Sequence, residues 1–148
     1  MRLIDIIDNI KGAANASGLF TEVTLVKSDR DIDKVINDAN FRSLLITIDS
    51  ASLLSEDDAF AIQLMTIDKI VNEEDSDDSY IHSVNDSVAA LRLILDRLNY
   101  NAEYDGNGNG VVKLSGVKFT SGVYSNELIT MTEATLSYSF SALPNIDI

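Results

Sequence analysis

The stretch IHSVNDSVAALRLILDRLN, residues 81–99, carries the strongest helical pattern in the chain. Its apolar residues recur every three or four positions, which is the period of one helix face. Ser79 or Ser83 is the predicted N-cap, because a serine oxygen can accept a hydrogen bond from a free N–H of the first turn. The pattern therefore predicts a long helix that packs on one face of a sheet.

Downstream of this helix the chain is rich in β pattern. VVKLSGVKFTSG (111–122) and NELITMTEATLSYSFSA (126–142) alternate between apolar and polar residues, with a turn predicted around Ser121 and Gly122. They predict a long C-terminal β-hairpin. Because its second strand of about 15 residues exceeds the usual strand length, we expect it to bend, bulge or project. Residues 143–148 are predicted to form a tail.

Upstream of the helix the elements are shorter. Residues 1–16 have an apolar face at helical spacing, and Ser17-Gly18 ends that pattern. The segments that follow are predicted as a strand (20–27), a short helix (29–39) and two strands (42–51 and 59–71). Residues 59–71 are apolar on both faces, which predicts an interior or interface strand. The order predicts one α+β domain over 1–148, with a mainly antiparallel sheet, a long helix packed on it, an N-terminal amphipathic helix and the C-terminal hairpin.

Charge excludes several function classes. The 148 residues contain 24 acids and 11 bases, for a net charge of -13, and the bases are scattered. Nucleic-acid readers need a basic footprint, so we predict no sequence-specific nucleic-acid binding. An anionic membrane would be repelled for the same reason, and no stretch is long and apolar enough to span a bilayer. Asp5 and Asp8 interrupt the apolar pattern of the N-terminus, which argues against a signal peptide.

One stretch resembles the start of a calcium loop. Asp105, Asn107 and Asn109 alternate with glycines, as the first ligands of an EF-hand loop do. Position twelve of that loop is Gly116 where a bidentate glutamate is needed, and a strand follows instead of a helix. Asn-Gly pairs also form tight turns. A turn is therefore the main interpretation, with a weak calcium site as the alternative.

The chain offers no convincing catalytic set. His82 and Ser83 are neighbours on the predicted helix, so their side chains point in different directions. Asp49 and Asp68 stand near strand ends, where carboxylates are usually solvated. Cysteine is absent, which removes thiolate chemistry and disulfides. We therefore predict neither an enzyme nor a cofactor.

Apolar residues on the overlong hairpin are more informative, because one small domain has little left with which to cover them. Surfaces of this kind are usually contacts between subunits. The residues predicted to form an interface with neighbouring subunits are Tyr124, Leu128, Met131, Tyr138, Phe140 and Leu143.

Five segments together carry a family resemblance: the opening helix LIDIIDNI, the strands SLLITID and FAIQLMTIDKI, the helix SVNDSVAALRLILDRLN, and the closing strands from VKLSG to LSYSF. In their order they resemble the tail-terminator and tail-completion proteins of tailed bacteriophages, which belong to the neck or head–tail connector. The resemblance implies a virion structural protein, made in the host cytoplasm, that forms a homo-oligomeric ring. Such a ring joins virion proteins of the portal, neck or tail and lets DNA pass.

The resemblance also implies a role for the acidic loops, because a negative channel wall lets DNA slide without sticking. The repulsion is short-ranged, about 8 Å at physiological salt, so the acids must face the channel. A generic solvated acidic surface is the alternative. The predicted channel-facing residues, all placed in loops, are Asp57, Asp58, Glu73, Glu74, Asp75, Asp77 and Asp78.

Two other functions stay open at this point. A small acidic adaptor or inhibitor would bind a basic protein partner by charge complementarity. A calcium-dependent binding module would use the loop at 105–110.

Overall fold

The computed structural model describes residues 3–38, 42–53, 57–70, 77–104, 111–124 and 127–141. They form three helices and five strands, and the α+β class with one long helix on a sheet is confirmed. The elements in chain order are α1 (Leu3–Ser17), β1 (Glu22–Leu25), α2 (Asp29–Asn37), β2 (Ser43–Leu53), β3 (Asp57–Ile70), α3 (Asp77–Tyr104), β4 (Val111–Tyr124) and β5 (Glu127–Ser141).

All five strands belong to one mixed sheet in the order β1-β2-β3-β5-β4. β1 runs parallel to β2, while the other three neighbouring pairs are antiparallel. The interior position predicted for 59–71 is confirmed, since β3 lies at the centre of the sheet. Ile62 and Leu64 are buried on one face of β3 and Ile67 on the other, because both faces of this strand are covered.

The larger core lies between the sheet and the helices α1 and α3. Even-numbered residues of β3 and β5, and of β2 before its bulge, face these helices, because side chains alternate along a strand. Full burial of each such side chain contributes about 1.5–3 kcal/mol. The principal contacts are Ile6, Ile10, Leu91, Ile94 and Leu98 from the helices against Leu44, Ile46, Ile62, Leu64 and Leu136 from the sheet.

The opposite face of the sheet is covered in part by α2. Val35 packs there against Leu45, Ile67 and Ile129. The N-terminus of α2 is closed by Asp31, whose Oδ2 accepts hydrogen bonds from the N–H groups of Lys27 (2.7 Å) and Ser28 (3.2 Å). The Lys27 hydrogen bond is the main reason that the pKa of Asp31 lies below its usual value.

The helix α3 is longer than its apolar stripe. It begins at Asp77 rather than near residue 81, so the prediction that Ser79 or Ser83 caps it is wrong. Asp77 and Asp78 occupy the first turn, where a negative charge is favoured by the helix dipole. Ser83 therefore lies inside the helix, and it is buried against the sheet.

The irregularities of the C-terminal strands fall elsewhere than predicted. β5 pairs with β3 from Leu128 to Ser141 without a register shift, because β3 is itself long enough to match it. The predicted turn at Ser121 and Gly122 is also wrong, since both lie within β4, opposite Thr130 and Ile129. The bulge lies in β4, between Ser115 and Lys118, where Gly116 has a φ of 63°.

Candidate interaction surface

Polar side chains meet beneath the N-terminal half of α3, and we call this group the polar seam. Its centre is Asp68 on β3, whose Oδ2 accepts hydrogen bonds from Arg42 Nη2 at 3.0 Å and from Ser83 Oγ at 3.1 Å. The hydroxyls of Ser83 and Thr130 are 2.8 Å apart. Arg42 and Asp68 each expose 17% of their side chains, so water competes only weakly with this ion pair.

The seam continues by one more rung of the sheet. Thr66 on β3 and Thr132 on β5 stand opposite each other, and Ser87 follows Ser83 by one helical turn. All three hydroxyls are buried without a hydrogen-bond partner among the described residues, as is Nε of Arg42. Buried polar groups of this kind reduce stability. The polar seam thus comprises Arg42, Thr66, Asp68, Ser83, Ser87, Thr130 and Thr132.

The seam does not assemble a catalytic centre from the residues weighed in the sequence. His82 is exposed while Ser83 faces the sheet, so the two point apart. Asp49 lies at the bulge of β2, next to Ile48, and Ile48 pairs with Ile62 of β3. Because Ile62 and Asp68 are about 20 Å apart along β3, Asp49 is far from the polar seam. Asp68 is held in an ion pair rather than solvated at a strand end.

Metal ligands are also not brought together in the described parts of the chain. Among those residues, no three His, Asp or Glu side chains lie where they could hold one ion. The calcium candidates Asp105, Asn107 and Asn109 lie outside the described residues. The weak calcium site therefore stays a prediction.

An apolar groove runs between α3 and β4. It encloses about 150 Å³. Leu91 forms its buried floor, and Arg92 is the one charged residue in its lining. A groove of this kind accepts an apolar side chain and offers one cationic group at its rim. The lining residues are Val88, Leu91, Arg92, Leu95, Leu114 and Val117.

Beside the groove, β4 forms an edge of the sheet. Every residue from Gly116 to Ser121 is exposed, so both faces of this part of β4 are uncovered. Three large apolar side chains are among those left open, Val117 at 41%, Phe119 at 46% and Val123 at 71% exposure. An edge strand with exposed apolar side chains is a ready template for another chain. We call the groove together with Gly116–Val123 the β4 surface.

Of the predicted interface residues, Tyr138 is buried and does not lie on the surface. It is 3% exposed and belongs to the core, because it stands opposite Phe60 under the helices. Burial raises the pKa of its hydroxyl. Leu128 and Met131 are half-buried on opposite faces of β5, so they do not form one patch, and Met131 packs against the core beneath α2.

Three further residues were predicted to form the interface. Tyr124 lies in β4 and Phe140 in β5, and the structure describes their backbone alone. Leu143 falls outside the described residues. Alternation in sequence revealed that the C-terminal strands were long, but it did not reveal which of their residues the helices cover. Val117, Phe119 and Val123 were therefore missed.

The acids predicted to face a channel do not all lie in loops. Asp57 and Asp58 begin β3, and Asp77 and Asp78 form the first turn of α3. Their backbone groups are used by strand pairing and by the helix. Ser83 near the start of α3 contacts Asp68, which is close to the end of β3. The acids at the start of β3 and those at the start of α3 are therefore separated by much of the length of β3, which is about 40 Å. Glu73, Glu74 and Asp75 lie outside the described residues.

Within the described residues, no helix is both long enough and apolar enough to cross a membrane. No protein-family model matches the sequence, and no curated protein matches it. The β4 surface is therefore the feature on which a functional proposal rests.

Proposed function

We propose that this chain is a structural subunit that assembles with copies of itself into a ring. The observation that carries the proposal is the β4 surface, an open sheet edge lined with exposed apolar side chains beside a groove. The location of the ring, at the neck or tail junction of a tailed phage, follows from the resemblance in element order. There the ring would contact virion proteins of the portal, neck or tail.

Among the described residues, β4 has a neighbouring strand on one side only. Edge strands of monomeric proteins are usually shortened, charged or covered, because an open ladder recruits other chains. β4 is long, and from the end of its bulge to Tyr124 it has Lys118 as its only charged residue. Val117, Phe119 and Val123 add exposed apolar area at the same place. Association would bury this area, which favours assembly.

β4 and β5 would act as one C-terminal hairpin that presents the β4 surface to a neighbour. The net charge of -13 suits a conduit through which DNA slides. Asp77 and Asp78 are exposed at the start of α3, where they are available to line such a channel. The screening length of about 8 Å requires them to lie close to the passing DNA.

The test is the mass of the purified protein, measured by light scattering over a range of concentrations, with electron microscopy of the same samples. We expect a closed ring of many subunits. The double variant Phe119→Asp/Val123→Asp should lower the assembled mass, because it places two negative charges on the β4 surface. Ile4→Asp is the matched control, since Ile4 is 57% exposed on α1, away from β4.

A wild-type protein that stays monomeric at every concentration contradicts ring assembly. In that case the acidic adaptor becomes the better hypothesis. A ring that assembles without shielding DNA from nuclease or passing it in a reconstituted neck would contradict the proposed location, while leaving self-assembly intact.

A further inference from the structure

We propose that α2 is a lid that opens while the rest of the domain stays folded, and that its opening uncovers an apolar surface on the sheet. The covered surface, which we call the α2 floor, consists of Leu45 on β2, Ile67 on β3 and Ile129 on β5. All three side chains are buried, and they lie on the sheet face opposite α1 and α3. This motion takes place within one subunit and is independent of the proposed ring.

α2 is attached to the sheet by few side chains. Ile32, Val35 and Ile36 follow one side of the helix and pack on the floor, and of these Val35 is buried while the other two are half-buried. Burial stabilises in proportion to the apolar area removed from water, so α2 is held less firmly than α3. The apolar residues that α3 buries are Ala90, Leu91, Ile94 and Leu98.

α2 is also too short to be stable without its contacts to the floor. Isolated helices shorter than about 12–15 residues are marginal in water, and α2 has 9 residues. Asp31 stabilises the first turn by accepting hydrogen bonds from the N–H groups of Lys27 and Ser28. These hydrogen bonds are local, so they favour the helix without joining it to the sheet. Separation of Val35 from the floor and loss of the helix should therefore occur together.

The sheet beneath α2 has its own support. β3 pairs with β2 and with β5 over most of its length, and the larger core covers the other face. Val26 stays in place when α2 moves, because its N–H donates a hydrogen bond to the carbonyl of Ile46 at 2.8 Å. The hinge of the lid therefore lies at Lys27 and Ser28. An element with few buried contacts opens at a lower free energy than the whole domain unfolds.

The open lid leaves an apolar surface on three adjacent strands. Met65 and Met131 are half-buried beside the floor and extend it. A contiguous apolar patch on a folded sheet favours contact with another chain. α2 therefore controls when this surface is accessible.

Hydrogen exchange of the wild-type protein at increasing, sub-denaturing urea tests the independence of the lid. Amides from Lys34 to Asn37 should exchange through local opening, at rates that change little with urea, because local opening exposes little surface. Amides of Leu91 and Ile94 in α3 should exchange about a hundredfold more slowly and with a steep dependence on urea.

A thiol placed under the lid measures access to the floor directly. The natural chain contains no cysteine, so one introduced thiol reacts without background. Ile67→Cys places the thiol under α2, and Ile62→Cys is the matched control on the same strand, under α1 and α3. Both isoleucines are fully buried. A soluble thiol reagent should modify the Ile67→Cys protein at least about tenfold faster than the Ile62→Cys protein.

A third variant loosens the lid itself. Val35→Ala should accelerate amide exchange in α2 by about tenfold, because it removes part of the one buried side chain of the helix. It should also accelerate labelling of the thiol in an Ile67→Cys background, while exchange in α3 stays unchanged. Asp33→Ala is the control on the same helix, since Asp33 is exposed, and it should accelerate neither.

Exchange in α2 with the same rate and urea dependence as exchange in α3 would show that α2 unfolds only with the whole domain, and this result overturns the proposal. Equal labelling rates for the two thiols overturn it as well. So does a Val35→Ala protein in which α2 and α3 exchange accelerate equally. The hydrogen-exchange measurement uses the unaltered protein, so it decides the question even where a cysteine variant fails to fold.

Discussion

The two halves of α3 lie on the same face of the sheet but contact different chemistry. The N-terminal half places Ser83 and Ser87 over the polar seam, where Asp68 and Arg42 form an ion pair. The C-terminal half places apolar residues over an apolar part of the sheet. Those contacts join Leu91, Ile94 and Leu98 with Ile62, Leu64 and Leu136.

The apolar contacts of α3 mainly stabilise the fold, whereas the polar seam mainly orients the helix. Apolar burial is the larger contribution, and it determines which side of the helix faces the sheet without being directional itself. The seam contributes less, because the hydrogen bonds of Asp68 are offset by buried hydroxyls that have no hydrogen-bond partner among the described residues. Those hydrogen bonds are directional, however, so they fix the register of α3 on the sheet. The same register sets the position of Val88 and Leu95 in the groove.

The largest effect is expected from a substitution in the C-terminal, apolar half of α3. Ile94→Ala should lower the free energy of unfolding by about 2–5 kcal/mol, because Ile94 is fully buried and its removal leaves a cavity. Chemical denaturation followed by circular dichroism measures this change. Leu93→Ala is the control on the same helix, since Leu93 is 39% exposed and should cost less than about 1 kcal/mol. Equal losses in both variants would contradict the assignment of the buried face.

The next largest effect is expected from a substitution that removes the ion pair of the polar seam. Asp68→Asn should lower the free energy of unfolding by about 2 kcal/mol, because the guanidinium of Arg42 loses its charged partner in a largely buried place. Asp86→Asn is the matched control. Asp86 lies 3.8 Å from Arg42 but is 61% exposed, so its loss should change stability little. A larger loss for Asp86→Asn would place the partner of Arg42 on α3 instead of β3.

A smaller effect of opposite sign tests the unpartnered hydroxyls. Thr66→Val should raise the free energy of unfolding by about 1 kcal/mol, because a methyl group replaces a buried hydroxyl that has no hydrogen-bond partner in the described part of the chain. Thr130→Val should lower it by a similar amount, since the Thr130 hydroxyl is hydrogen-bonded to Ser83. Thermal melts of the two variants should therefore move in opposite directions. Destabilisation by Thr66→Val would show that its hydroxyl is hydrogen-bonded in solution.

The last effect is confined to alkaline pH. Burial raises the pKa of Tyr138 above that of the unfolded chain, which is about 10. Its contribution to stability is thus fully present below about pH 10 and is lost as the pH rises toward the folded-state pKa. Unfolding measured from pH 9 to 11 should become progressively easier in the wild type, and less so in Tyr138→Phe. Parallel curves for the two proteins would contradict a buried Tyr138.

Hydrophobic periodicity by itself determined the element types, their order and the class of the fold. Residues 81–99 were recognisable as a helix and 59–71 as an interior strand, because local spacing reports which residues must be buried. The lack of cysteine excludes disulfides and thiolate chemistry, and the net charge of -13 is the basis of the predictions about partners. These conclusions depend on local pattern or composition, which the sequence contains directly.

Tertiary structure alone decided which surfaces stay open. Tyr138 and Phe119 have the same alternation in sequence, yet Tyr138 is buried and Phe119 is 46% exposed. The strand order determines this difference, since β5 is inserted between β3 and β4 and leaves β4 at the edge. The pairing of Arg42 with Asp68 likewise joins residues 26 positions apart. Contacts between distant residues depend on packing, and no local pattern in the chain records them.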